Sequence, residues 1–213
     1  MHETAIAFAA SMLLGMRHAT DADHVVAVTT IVNGERGVWK SSRVGMMWGL
    51  GHTLTILLVG GGIILFRLAF SPRVGLSMEF AVALMLIVLG LQNLRDSAGV
   101  RAGVPYLRPF LVGTVHGVGG SAAAALLILS LIEDPRWAVI QLGVFSVGTI
   151  VGMTLITAAI AAPAIYAGSR ITALNQNIRI LSGVFSIAFG AYLGYRLGFV
   201  DGLFTSVPAW SPK

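Results

Sequence analysis

One segment near the start of the chain, RHATDADHVV from Arg17, places five ionisable residues within eight positions of a largely apolar stretch. Imidazole and carboxylate groups together, without a thiolate, favour borderline divalent cations such as Ni²⁺, Co²⁺ or Zn²⁺. Charged groups at membrane depth persist where they face a cavity, a partner or a substrate. The segment therefore predicts a metal site formed by His18, Asp21, Asp23 and His24, with Arg17 beside the ligands.

The geometry of this segment leaves two arrangements open. On an intact helix, Asp23 points away from the other four ionisable residues and would serve as a second-sphere or neighbouring-helix partner. If the helix unwinds near Thr20, all five groups converge, as at the broken helices of transporters. The structural alternative is a salt-bridge knot that locks helices together, in which Arg17 and Asp21 simply pair.

Three further histidines extend the candidate metal site. His52 follows two small residues in the second apolar run, and we expect it within reach of the first cluster because consecutive spans joined by a short loop pack as neighbours. His116 is a further candidate ligand, with helix packing as its alternative. His2 could chelate Ni²⁺ together with a free terminal amine, and the alternative is an ordinary chain terminus.

Composition places the chain among membrane proteins. Of 213 residues, 56% are hydrophobic and 11% are charged, and the mean hydropathy is +0.84, whereas soluble domains are about 25% charged. Cysteine is absent, which excludes disulfides and thiolate metal sites. The net charge of +5 comes from basic residues spread through short loops, so nucleic acid is not an expected partner.

Six apolar runs predict an all-α polytopic bundle, one transmembrane domain over residues 1–213. The Lys and Arg excess after the odd-numbered spans predicts that both termini lie outside the cell membrane. The first and fifth spans are long enough to be tilted, kinked or broken. The predicted spans are 5–32, 44–66, 78–94, 110–132, 138–166 and 178–199; the richer loops carry Arg36, Lys40, Arg43, Arg95, Arg101, Arg108, Arg170 and Arg179.

Two glycine-rich segments resemble each other. GMMWGLGHTLTILL from Gly45 and GTVHGVGGSAAAALL from Gly113 share a G-x-x-x-G-x-G frame. Halves of three helices would form an inverted repeat, a common plan for transporters. This similarity links the second and fourth spans, however, so by itself it does not establish that repeat.

The motifs resemble those of the nickel/cobalt transporter family. RHATDADH is similar to the signature R-H-A-x-D-A-D-H of that family, GLGHTLT from Gly49 to its next motif, and VHGVGGS from Val115 to the start of its third. The resemblance implies secondary transport of Ni²⁺ or Co²⁺, with His18, Asp23, His24 and His52 as the principal polar residues.

The second half departs from the family pattern. Where the third motif normally continues Phe-Asp-Thr-Ala-Thr-Glu, residues 120–125 read Gly-Ser-Ala-Ala-Ala-Ala, and the run after Gly152-Met153 has no acid. The chain therefore looks most like the short, urease-accessory-like branch of the family. Because these carboxylates are missing, the resemblance alone does not predict the metal affinity, the coupling or the transport direction of this chain.

Several functions remain as alternatives. The leading hypothesis is a non-enzymatic permease for Ni²⁺ or Co²⁺, with Zn²⁺ as a further substrate and no prosthetic group. Its rivals are an exporter, a carrier of another solute, a membrane subunit that hands metal to an accepting protein, and an intramembrane hydrolase with Ser121 as nucleophile. Beyond the metal ion and the lipid bilayer, a homo-oligomer and a metal-accepting protein are the partners considered.

Overall fold

The computed structural model describes the backbone of residues 2–32, 37–68, 71–95, 106–132, 134–168 and 172–210. Side chains are described for the same ranges except 2, 3, 121, 122, 126, 127, 129–131, 164–168 and 172–175. The regular structure within these ranges is helical throughout, which confirms the all-α fold. In chain order the helices are α1 (His2–His18), α2 (Ala22–Val32), α3 (Val38–Thr55), α4 (Gly61–Phe66), α5 (Pro72–Arg95), α6 (Leu107–Leu131), α7 (Pro135–Gly168) and α8 (Thr172–Tyr195).

Four segments of the described chain are long and apolar enough to cross a bilayer, as a polytopic membrane protein requires. The other two predicted spans coincide with α1 plus α2 and with α6, some of whose side chains lie outside the described residues. Large apolar side chains such as Leu58, Val147 and Leu181 are exposed on the helix surfaces, where lipid would cover them. The four segments are Val38–Phe66, Pro72–Arg95, Pro135–Pro163 and Gln176–Val200.

The second span is a continuous rod with a π-helical turn inside it. The turn, Ile56–Gly60, joins α3 to α4. The rod begins at Val38 rather than at residue 44, so Lys40 and Arg43 lie in the first turns of α3 and not in the preceding loop. π turns inside α-helices are frequent at functional sites.

The two longest predicted spans behave differently. The fifth is one helix of 34 residues that contains Pro163. Its length of about 51 Å exceeds the roughly 30 Å of hydrocarbon. The first span is instead divided between α1 and α2 at residues 19–21. Of the two, it is therefore the first that is broken.

Backbone-to-backbone packing joins α1 to α7. A Cβ added at Gly15 would collide with the carbonyl oxygen of Phe145 and the amide nitrogen of Thr149. A Cβ added at Gly148 would collide with the carbonyl oxygen of Met12. Both positions therefore require glycine, and the two helices run in the same direction along this contact.

The same pattern joins α3 to α6. A Cβ added at Gly113 would meet the carbonyl oxygen of Trp48 and the amide nitrogen of His52, and one at Gly51 would meet the carbonyl oxygen of Phe110. Each α6 residue lies 98 positions after its counterpart in α1, and each α7 residue lies 97 positions after its counterpart in α3. The α1–α7 and α3–α6 contacts are thus equivalent, atom for atom.

Helices α5 and α8 complete the symmetry. A Cβ at Gly90 would meet the carbonyl oxygen of Gly183, and one at Gly190 would meet that of Ala83, a shift of 100 positions in both cases. The two helices run antiparallel, so the operation that exchanges them reverses chain direction. The fold therefore consists of two inverted three-helix halves, residues 2–95 and 107–200. The shared glycine frame of the second and fourth spans marks helices that pack together, not helices that the symmetry exchanges.

Candidate metal centre

The candidate ligands lie at the interruption of the first span. The N–H groups of Thr20 and Asp21 bond to the carbonyl oxygens of Arg17 and His18, three residues earlier, at 2.8 and 3.1 Å. The Thr20 hydroxyl also donates to the Arg17 carbonyl oxygen at 2.6 Å. These bonds stabilise a turn that ends α1 and restarts the chain as α2. Of the two arrangements that the sequence leaves open, the structure shows the one in which the helix unwinds near Thr20.

A first group of ligand atoms combines three imidazoles. His18, His24 and His52 each offer one atom, and the three atoms lie within 4.8 Å of one another. The Asp21 carboxylate accepts a hydrogen bond from His18 Nδ1 at 2.8 Å. This leaves the lone pair of His18 on Nε2, which lies 3.3 Å from His52 Nε2. The expected proximity of His52 to the first-span cluster is therefore confirmed.

A second group shares His24 and adds α6. Atoms of Asp23, His24 and His116 also lie within 4.8 Å of one another. The Asp23 carboxylate accepts hydrogen bonds from His24 Nδ1 at 3.0 Å and from His116 Nε2 at 3.1 Å. The His24 and His116 rings stack with their centroids 4.1 Å apart. Asp23 thus contacts the neighbouring helix α6, a role that the sequence predicted only for an intact first helix, although the helix is broken.

Several nitrogens of this centre are buried without a hydrogen-bond partner among the described residues. They are His24 Nε2, His52 Nδ1 and His116 Nδ1. The side chains of His24 and His116 are 2% exposed, whereas those of His18 and Asp23 are 20% and 30% exposed. Unsatisfied buried nitrogens cost free energy. A cation that accepts their lone pairs would remove that cost.

Aromatic and glycine residues line the centre. The Trp48 ring lies 5.5 Å from the rings of both His24 and His116, and the Phe145 ring lies 5.6 Å from that of His18. A Cβ at Gly120 would be 3.4 Å from His18 Nε2. The α6 backbone therefore approaches the ligand atoms closely.

A known protein is similar in sequence to most of this chain. The chain is 34% identical over 210 residues to the urease accessory protein UreH of Bacillus sp. (strain TB-90), covering 90% of this chain and 92% of that protein. It belongs to the UreH family of urease accessory proteins. This confirms the resemblance to the urease-accessory-like branch of nickel/cobalt transporters. No protein-family model matches the chain, and no solved structure matches it.

The remaining residues that the sequence suggested for function in this UreH-family chain are Asp21, His2 and Ser121. Asp21 is the hydrogen-bond partner of His18, and within the described part of the chain its salt bridge is with His18 rather than with Arg17. His2 begins α1 and Ser121 lies in α6, but both side chains are outside the described residues. The chelation by His2 and the hydrolase reading of Ser121 stay as predictions.

Sequence reasoning missed two features of the centre. Neither Trp48 nor Gly120 is a ligand type that the sequence would single out, but Trp48 lies within the glycine frame of the second span and Gly120 directly follows that of the fourth. The frames themselves were the available signal, because helices that share small-residue patterns approach closely. Proximity between those helices brings Trp48 of α3 against His116 of α6. Gly120 of α6 lies against His18 of α1.

Proposed function

We propose that this chain is a multi-pass secondary transporter that carries a divalent transition-metal ion, Ni²⁺ foremost, across the cell membrane. The observation that carries the proposal is the convergence of four imidazoles and Asp23 from three different spans. Donor atoms of one ion, each about 2.1 Å from it, are separated by about 3 to 4 Å. The 3.3 Å between His18 Nε2 and His52 Nε2 is compatible with that separation.

Ni²⁺ is preferred to Co²⁺ and Zn²⁺ because the chain's relative is named as a urease accessory protein. Imidazole and carboxylate ligands accept all three ions, so the ligand set alone does not rank them. The ion is cargo and not a resident cofactor. His18, Asp23, His24 and His52 are the principal ligands of this proposal, Asp21 orients His18, and His116 joins the set through Asp23.

The inverted halves support alternating access as the mechanism. In inverted-repeat transporters the substrate lies near the bilayer midplane, where the halves meet. His18 and His116 are equivalent under the symmetry and lie on either side of His24, so the centre straddles that meeting point. The proposal comprises one transmembrane domain, both termini outside, and transport without ATP hydrolysis by this chain.

The test is ion uptake into proteoliposomes that contain the purified protein, with Ni²⁺, Co²⁺ and Zn²⁺ compared with and without a pH gradient. We expect saturable Ni²⁺ uptake that His18→Ala, Asp23→Ala and His24→Ala each abolish, because each removes a ligand. Gly143→Ala is the matched control, because the described residues leave open space around Gly143. Transport by all three variants at the parental rate would make the cluster a structural knot.

A further inference from the structure

The two groups of ligand atoms overlap at one residue, His24. We infer that the ion occupies two successive positions in the centre and that His24 is a ligand in both. The first position is formed by His18, His24 and His52, and the second by Asp23, His24 and His116. This inference rests on the proposed function and divides its binding site into two steps.

The first position is ready to accept a cation. Carboxylates hold the Nδ1 protons of both His18 and His24, so their lone pairs are on Nε2. His24 Nε2 is buried without a partner and its ring lies 4.6 Å from that of His18 and 5.0 Å from that of His52. The Nε2 lone pairs of His18 and His24 therefore converge beside His52, whose Nε2 lies 3.3 Å from His18 Nε2, where His18 is still partly exposed.

The second position has different chemistry. Its atoms are now joined by two N–H···O hydrogen bonds that Asp23 accepts from His24 and His116. An ion that enters between them replaces those bonds, and each ring proton moves to the other nitrogen of its own imidazole, so that both rings bind as neutral ligands. The carboxylate offsets part of the ion's charge, whereas the first position offers only neutral imidazoles. His24 can contact the ion through Nε2 in the first position and through Nδ1 in the second.

One ion cannot use both groups at the same time. Among the described residues, His18 and His116 are never in the same set of atoms within 4.8 Å of one another. Donors to one ion are at most about 4.2 Å apart when each is about 2.1 Å from it. With the side chains in this arrangement, an ion bound by His18 therefore leaves that ligand before His116 binds it.

The inverted repeat gives a reason for this pairing. His116 lies 98 positions after His18, the same shift that relates Gly15 to Gly113. The two end ligands therefore occupy equivalent places in opposite halves. When the halves exchange their conformations, the equivalent ligands exchange their access. The proposal thus assigns His18 and His116 to opposite ends of the path.

The experiment compares equilibrium binding with transport in full-length protein, using Ni²⁺ alone as the probe. His18→Gln and His116→Gln each remove one end ligand, while the glutamine amide can still donate a hydrogen bond to the facing carboxylate. We expect either variant to weaken Ni²⁺ binding by no more than about tenfold, since the other group remains. We expect uptake to fall by more than about tenfold in both, because the exchange is interrupted.

His24→Gln is the comparison variant, because it removes the shared ligand. It should weaken Ni²⁺ binding by about 100-fold or more. Parental uptake by His116→Gln would overturn the second position while leaving the proposed transport intact. Binding lost as completely in His116→Gln as in His24→Gln, with the protein still monodisperse, would indicate one undivided site. Absence of Ni²⁺ uptake by the parent protein would overturn the proposed function and this inference with it.

Discussion

The two halves of the molecule pack alike but differ in their chemistry. Backbone contacts repeat between them with constant shifts, yet Asp21, Asp23 and His24 correspond to Gly119, Ser121 and Ala122. The first half keeps the carboxylates and the shared imidazole, and the second contributes His116. Helix packing therefore conserves the small residues that set the distance between backbones, whereas binding needs its polar groups only once.

The largest effect should come from breaking the packing that the halves share. Gly51→Ala and Gly148→Ala each place a Cβ against a backbone carbonyl, which cannot move aside as a side chain can. Such overpacking costs about 1–3 kcal/mol or more. We expect a lower Tm and less assembled protein in both variants.

Gly143→Ala in the same helix is the control for Gly148→Ala, because its Cβ meets no atom within 4 Å. Alanine favours a helix over glycine by about 1 kcal/mol, so this variant should be as stable as the parent or more so. Equal destabilisation at positions 143 and 148 would contradict the close contact between α1 and α7.

The next effect separates equivalent residues of the two halves. His52 and Thr149 correspond by symmetry, but the Thr149 hydroxyl donates within its own helix to the Phe145 carbonyl oxygen. His52→Ala should abolish Ni²⁺ uptake, and Thr149→Ala should lower it by less than about threefold, since no ligand is lost. Equal losses in proteoliposomes would mean that the second half takes part in binding at this level.

Lower pH should weaken the binding of Ni²⁺ by the imidazole-rich first half. Ni²⁺ competes with protons for imidazole nitrogen, whose ordinary pKa is about 6.5. Equilibrium affinity should therefore be highest near pH 8 and fall as the pH drops towards 5. Titration of the detergent-solubilised protein with Ni²⁺ measures this dependence, and a flat profile would argue against histidine ligands.

The smallest effect should follow from making the first half more like the second at an exposed position. Asp21→Asn removes the negative charge beside His18, but the Asp21 side chain is 53% exposed and is a partner of a ligand rather than a ligand in our proposal. Solvent screening limits its influence. We expect Ni²⁺ affinity to fall by about tenfold or less, and a complete loss would identify Asp21 as a direct ligand.

Much of the centre could be predicted from local sequence. RHATDADH identifies its own chemistry because its ionisable residues are conspicuous in an apolar run, and the loop after the first span places His52 nearby. From the sequence, a break at residues 19–21 was one of two alternatives, the other being an intact helix. The choice depends on whether Thr20 forms the hydrogen bonds of a turn or those of a helix, and the sequence alone does not show this. The sequence could not show whether His116 serves helix packing or belongs to the metal centre, because its hydrogen bond to Asp23 depends on where α6 lies.

The symmetry was hidden for a physical reason. It resides in backbone approaches such as Gly15 with Phe145 and Gly113 with Trp48, where the closest atom of the partner is a carbonyl oxygen, which every residue type supplies. Similarity between halves therefore survives at the glycines and is lost at the residues they touch. The glycine frame shared by the second and fourth spans is easier to see in the sequence, but it marks two helices that pack side by side rather than two that the symmetry exchanges.

The π turn after α3 determines where this helix can lose a residue. Residues in a π turn bond five positions apart instead of four, so the turn at Ile56–Gly60 accommodates one residue more than an α turn. Deleting one residue there would restore α geometry and keep both ends of the rod in phase with their neighbours. Deleting one residue between 45 and 51 would rotate His52 by about 100° relative to the start of the helix. A one-residue deletion at the π turn should therefore leave the metal centre aligned, whereas the same deletion before His52 should not.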